Sequence, residues 1–125
     1  MPKVSELSAA VTEDHGVVLA RREDVEDYTI EFLSFREDVD LTEAFKGMPG
    51  ESCQIPHWGY VLKGRLTYRF GDHDEVFGPG DAFYVPPGHV PVVEAGASYL
   101  QFSRADEYRE MVAALRANME AMQSA

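Results

Sequence analysis

The chain has 125 residues, the size of one domain, and its 45% apolar and 26% charged residues are those of an ordinary globular protein. That composition excludes collagen-like, disordered and disulfide-scaffold classes. Eleven Lys and Arg stand against 22 Asp and Glu, for a net charge of −11 with no basic stripe, which argues against nucleic acid and anionic membranes as partners.

Residues 1–16 are expected to form a polar arm. The start, Met1 to Glu6, carries both charge signs and does not resemble a secretory signal. No apolar run approaches the roughly 18 residues of a membrane span. The single cysteine, Cys53, excludes an internal disulfide and fits a reducing compartment, so the expected location is cytoplasmic.

Residues 17–104 are dense in strand signals. Val17 to Ala20 is a short apolar run. Tyr28 to Phe35 alternates, with Tyr28, Ile30 and Phe32 on one face and Thr29 and Glu31 on the other. Asp40 to Phe45 reads as a short helix or a structured loop. Leu66, Tyr68 and Phe70 alternate with Arg65, Thr67 and Arg69, and the turn Gly71 to Asp74 leads to Glu75–Phe77. Gly78 to Asp81 is a second turn, because Gly tolerates positive φ and Pro pre-sets its own. Ala82 to Val85, Val90 to Val93 and Ser98 to Phe102 supply further strands, punctuated by Pro86-Pro87-Gly88 and Ala95-Gly96-Ala97. Many short strands with frequent turns point to an all-β sandwich or barrel. Residues 105–125 read as one helix: Tyr108, Met111, Val112, Leu115, Met119 and Met122 recur at helical spacing, and Asp106, Glu107 and Glu110 sit where the helix dipole favours acids. This stripe packs on the barrel or on a dimer partner.

Two motifs, in order, carry a family resemblance. Gly59-Tyr60-Val61-Leu62-Lys63-Gly64-Arg65-Leu66 resembles the end of the first cupin motif. Gly80-Asp81-Ala82-Phe83-Tyr84-Val85-Pro86-Pro87-Gly88 resembles the second, at the expected separation. The chain is similar to small single-domain bacterial cupins, mostly of unassigned function. The resemblance implies an antiparallel β-barrel of the double-stranded β-helix or jelly-roll type with a C-terminal α-helix, and it suggests a homodimer. It also implies a metal site, with departures. The family's Glu position falls on His57, its two His positions fall near Glu51 and Cys53, and its second-motif His position falls on Pro91, with His89 two residues earlier.

Cys53, His57, His89 and Glu51 are therefore the candidate ligands for a divalent transition metal. Thiolate and neutral imidazole suit Zn²⁺ first, with Fe, Ni, Mn or Cu as its neighbours. Glu51 is read as a fourth ligand or as an acceptor for an imidazole N–H. Cys53 and His57 are about 13 Å apart on a straight strand, so a shared ion requires a bend, which Pro56 permits. The other reading of each residue is structural: a buried thiol, a hydrogen-bonded core histidine and a loop histidine. Trp58, Tyr60, Tyr68, Phe70, Phe83, Tyr84 and Tyr99 are expected to wall a small-molecule cavity, or to be plain core. His15 and His73 read as solvated. Three functions stay open: a metal-dependent enzyme, a binding or sensor module without chemistry, and a metal-free scaffold.

Overall fold

Short β-branched and aromatic runs between Gly- and Pro-rich turns cannot bury themselves alone, and they stack here into two facing sheets. The computed structural model describes residues 3–124. Its strands are β1 (Val11–Asp14), β2 (Val18–Val25), β3 (Tyr28–Phe35), β4 (Val39–Asp40), β5 (His57–Lys63), β6 (Leu66–Arg69), β7 (Asp74–Phe77), β8 (Ala82–Val85), β9 (Val90–Val93) and β10 (Ser98–Arg104). One helix, α1 (Ala105–Ser124), follows. The large sheet has the order β1-β2-β3-β10-β5-β8 and the small one β4-β9-β6-β7, and the neighbouring strands pair antiparallel. This is the cupin jelly roll that the two motifs imply. Among the described residues no helix is long and apolar enough to cross a membrane.

The main apolar core lies between the sheets. It joins Phe35, Val61, Phe83 and Tyr99 of the large sheet to Leu66, Tyr68 and Val93 of the small one. Gly59 keeps that core closed. A Cβ there would lie 2.3 Å from the Phe83 ring and 2.4 Å from the Leu100 carbonyl oxygen, so only glycine fits. Gly64, at φ 71°, turns the chain from β5 into β6 directly against Ala97.

The arm expected over residues 1–16 is partly sheet. Val11–Asp14 pairs with β2, from Val11 opposite Arg22 to Asp14 opposite Leu19. Ion pairs hold it there: Arg22 binds Glu13, and Arg36 binds both oxygens of Asp14 at 2.7 and 3.0 Å. Residues 41–48 form a turn-rich loop after β4, and Phe45 anchors it at 2% exposure.

The helix packs on the barrel through its first half. Tyr108, Met111 and Leu115 meet Phe45, Cys53, Ile55 and Val90 in a second apolar cluster. The Asn118 amide donates to the Ala44 and Lys46 carbonyls, each at 2.9 Å, and pins the helix to the loop after β4. Met119 and Met122, near the end of the stripe, are exposed. The helix therefore covers the end of the barrel where Cys53 lies.

Over part of their length the central strands of the large sheet are polar inside and apolar outside. Thr29 and Glu31 of β3 and Gln101 and Ser103 of β10 point inward and are buried. Across the outer face the register sets Tyr84, Trp58, Phe102 and Ile30 in one row. Ala82, Tyr60, Leu100 and Phe32 form the next.

Candidate metal centre

Three segments bring three side chains to one point. Cys53 precedes β5 and pairs with residue 89 across an isolated bridge: the Cys53 N–H donates to the His89 carbonyl, and the Gly88 N–H donates to the Cys53 carbonyl, both at 2.8 Å. The chain then bends through Ile55 and Pro56, and His57 opens β5 on the barrel's inner face. The bend removes the separation that a straight strand would impose. The Cys53 Sγ lies 3.6 Å from His57 Nε2. The rings of His57 and His89 meet edge to face at 5.0 Å. One ligand atom from each of Cys53, His57 and His89 lies within 4.8 Å of the other two, and all three residues are buried.

The far nitrogens of both imidazoles are engaged. His57 Nδ1 is 2.7 Å from the Ser103 hydroxyl. His89 Nδ1 is 2.7 Å from the Pro86 carbonyl oxygen. A carbonyl oxygen only accepts, so His89 Nδ1 carries the proton and its Nε2 carries the lone pair. That Nε2 is buried and has no hydrogen-bond partner among the described residues. A buried acceptor left unpaired is costly, and outer-shell acceptors on Nδ1 are the usual way a metal-binding imidazole is oriented.

Burial sets the charge state. It pushes the Cys53 thiol up to about 11, against a smaller lowering by a backbone hydrogen bond of Ile55. It holds His57 down at about 3, with His89 adding a smaller push, and it lowers His89 as well. The pocket thus presents two neutral imidazoles and a protonated thiol. Two imidazole nitrogens and one sulfur fit a Zn²⁺-like ion, provided the thiol gives up its proton.

Beyond this trio the barrel interior holds a second polar group. Glu31 accepts from the Tyr108 hydroxyl at 2.7 Å and from the Gln101 amide at 3.0 Å. The Gln101 oxygen in turn accepts from the Tyr68 hydroxyl at 3.3 Å. Those bonds favour the carboxylate, but burial outweighs them and holds Glu31 above the usual range. Tyr68 links the two groups, its ring meeting that of His89 at 4.9 Å. Ser103, Gln101 and Glu31 escape a reading of the sequence because polar residues at alternate positions look like a solvent face.

Several expected site residues lie elsewhere. Glu51 is exposed, and its carboxylate accepts from the Gly47 N–H at 3.0 Å, so it stands outside the Cys53, His57 and His89 cluster. Its neighbouring 3₁₀ turn, Pro49–Glu51, carries it away before the chain reaches Cys53. Trp58, Tyr60 and Tyr84 face out from the large sheet rather than into the barrel, because each is one residue out of phase with His57 or Val85. Tyr68, Phe83 and Tyr99 are core, and Phe70 is half-buried and stacks on His73. Two clefts flank α1. One of about 470 Å³ is lined by Arg22, Thr29, Tyr108 and Arg116. The other, about 290 Å³, is lined by Met48, Ser52, Ile55 and Met111 and borders the Cys53 loop.

A family model described as a cupin domain matches residues 49–91, the stretch that contains the trio. No curated protein sequence matches the chain. Several solved structures do. A protein of unknown function from Rhizobium leguminosarum bv. viciae 3841 is 19% identical, with 83% of this chain and 95% of that one covered and a TM-score of 0.61. A cupin superfamily protein from Desulfitobacterium hafniense DCB-2 is 17% identical, covers 83% and 92%, and has a TM-score of 0.55. The polyketide cyclase RemF from Streptomyces resistomycificus is 15% identical, covers 83% and 79%, and has a TM-score of 0.57. At these identities the likeness is one of fold.

Proposed function

We propose that this cupin-fold protein binds a divalent transition metal, Zn²⁺ by donor set, through Cys53, His57 and His89, and receives a small organic molecule beside it. The observation that carries the reading is His89 Nε2, a buried lone pair without a partner among the described residues, aimed by the Nδ1 bond to Pro86 and grouped with a thiol and a second imidazole. The Ser103 hydroxyl holds the His57 ring from its Nδ1 side. Bound there, the ion would polarise an oxygen of a ligand or lower the pKa of a bound water. The 290 Å³ cleft lies beside the Cys53 loop, lined by Met48, Ile55 and Met111 together with Gln54, Glu107 and Glu110, and it is the candidate seat for a small molecule. Helix α1 forms one side of that cleft.

The test is metal content by elemental mass spectrometry on untagged protein never exposed to a nickel column, for wild type and Cys53→Ser. About one equivalent in wild type and a clear loss in the variant is the expected result. No metal after reconstitution would sink the reading. Function would then rest with a metal-free barrel, and a thermal-shift screen of small metabolites would replace assays of metal-dependent turnover.

A further inference from the structure

The two clefts that flank α1 treat charge differently. In the 470 Å³ cleft each arginine meets a carboxylate: Arg22 and Arg116 pair with Glu13, and Arg109 pairs with Asp24 at 2.9 Å. The 290 Å³ cleft holds carboxylates without cations. Glu107 and Glu110 stand on its wall, and no Lys, Arg or His lines it. Among the described residues neither carboxylate has an ion-pair partner. Glu107 Oε1 is also buried, and it has no hydrogen-bond partner among the described residues.

Helical spacing accounts for the placement. Glu107, Glu110, Met111 and Ala114 fall at i, i+3, i+4 and i+7, so one stripe of α1 lines the cleft. Two carboxylates one turn apart repel each other, and a buried carboxylate oxygen without a donor is costly. A cation between them relieves both. Gln54, from the loop before β5, adds an acceptor. Its amide nitrogen donates to the Pro49 carbonyl at 3.2 Å and to the Ser52 hydroxyl at 2.9 Å, which leaves its oxygen for a ligand. Met48, Ile55 and Met111 make the wall apolar elsewhere, and methionine adapts its shape to what it meets.

We infer, on the reading of this cleft as the ligand seat, that it takes a small organic cation: a primary ammonium group on a short apolar body. Glu107, Glu110 and Gln54 offer acceptors for the three N–H donors of an ammonium. The methionines and Ile55 take the carbon chain. The two carboxylates repel an anion, and a neutral molecule leaves them unpaired. Cys53, His57 and His89 do not line the cleft, so the cation binds whether or not the trio holds a metal.

The experiment is a protein-observed NMR titration of the full-length chain at about pH 7 with three probes of one carbon skeleton: n-pentylammonium, 1-pentanol and pentanoate. Ligands of this size reach about millimolar affinity, so each is carried to about 20 mM. Pentylammonium should saturate, move the amides of Ser52, Gln54, Glu107 and Ala114, and bind about tenfold more tightly than pentanol, while pentanoate does not bind. Glu107→Gln should weaken pentylammonium about tenfold. Glu37→Gln, the same charge change beyond the end of β3 that lies away from α1, should leave it unchanged. The inference is overturned by pentylammonium that does not saturate, by equal affinity for the three probes, or by shifts centred elsewhere. It is equally overturned by undiminished affinity in Glu107→Gln or an equal loss in Glu37→Gln. If Glu107→Gln does not fold, Glu110→Gln takes its place. Cys53→Ser separates the two readings. Pentylammonium binding kept in that variant upholds the cation site even if no metal binds to wild type, and its absence from wild type holding one equivalent of metal overturns the cation site alone.

Discussion

One half of the inner face of β3, β10 and β5 inverts the usual arrangement of a half-buried sheet, while the other half, with Phe35, Tyr99 and Val61, is ordinary core. Inside stand Thr29, Glu31, Gln101, Ser103 and His57, all buried, while Trp58, Tyr60 and Phe102 stand outside in the open. Buried polar groups cost stability unless each finds a partner, and nearly all of these do: Ser103 with His57, Gln101 with Glu31, Thr29 with Asp24. An exposed apolar face costs solubility unless something covers it. Each face therefore departs from what folding alone would select: inside, the buried His89 Nε2 has no hydrogen-bond partner among the described residues, and outside, an aromatic row stands half-exposed. The other half of the interior, around Val61, Leu66 and Phe35, follows the ordinary rule and supplies the stability that the polar half does not.

Cutting the apolar half should have the largest effect. Leu66 is fully buried, and Leu66→Ala should cost about 2 to 5 kcal/mol by denaturant unfolding, through lost transfer energy and a cavity. A loss below about 1 kcal/mol would mean the core lies elsewhere.

Metal uptake tests the polar half. The thiol of Cys53 sits at about 11 and both imidazoles are already neutral, so each ion bound near pH 7 should release one proton, from Cys53. The apparent affinity for Zn²⁺ should then rise about tenfold per pH unit between pH 6 and 9. Calorimetric titration in buffers of different ionisation enthalpy reads the proton directly. In Cys53→Ser the release should vanish.

Glu31 gives a pH signature of the fold itself. Burial holds its carboxyl above the usual 4.5, so the folded chain keeps the proton more tightly than the unfolded one. Its effect on stability is absent below about pH 4.5 and becomes a loss as pH rises through the folded value. Glu31→Gln removes that loss. Its melting temperature should exceed that of wild type by a margin that grows from pH 4 to pH 8. A margin that stays constant would show that the hydrogen bonds from Tyr108 and Gln101 hold the ionised form instead.

The smallest effect belongs to the outer face. Leu62, 42% exposed on the same strand as Val61, should lose less than about 0.5 kcal/mol per chain on Leu62→Ala, measured at a concentration low enough to keep the chain monomeric. A loss comparable to that of Leu66→Ala would place Leu62 in the core and erase the contrast between the faces.

Much of this was legible in the residues. The strand runs, the turns at 71–74 and 78–81, and the helical stripe from Tyr108 are set by spacing and by Gly and Pro, which act over a few residues. The two motifs from Gly59 and Gly80 named the fold. Cys53, His57 and His89 stood out because their residue types bind metals and the motifs placed them near one another. Glu51 stood out on the same grounds, but a 3₁₀ turn and a bond to Gly47 set it apart. Trp58, Tyr60 and Tyr84 read from sequence as cavity walls because aromatics usually go inside, yet the pairing register turns them outward.

What the sequence determined by itself is local: periodicity, turn chemistry, the charge of −11 and the absence of an internal disulfide. What only the tertiary structure decided is which way each strand faces and which distant atoms meet. An alternation of period 2 is the same whichever side is buried, so nothing in β3 alone says that Glu31 goes in and Phe32 goes out. That choice is made by neighbours far along the chain, by Gln101 and Tyr108 across the interior and by Pro86, whose carbonyl settles the tautomer of His89.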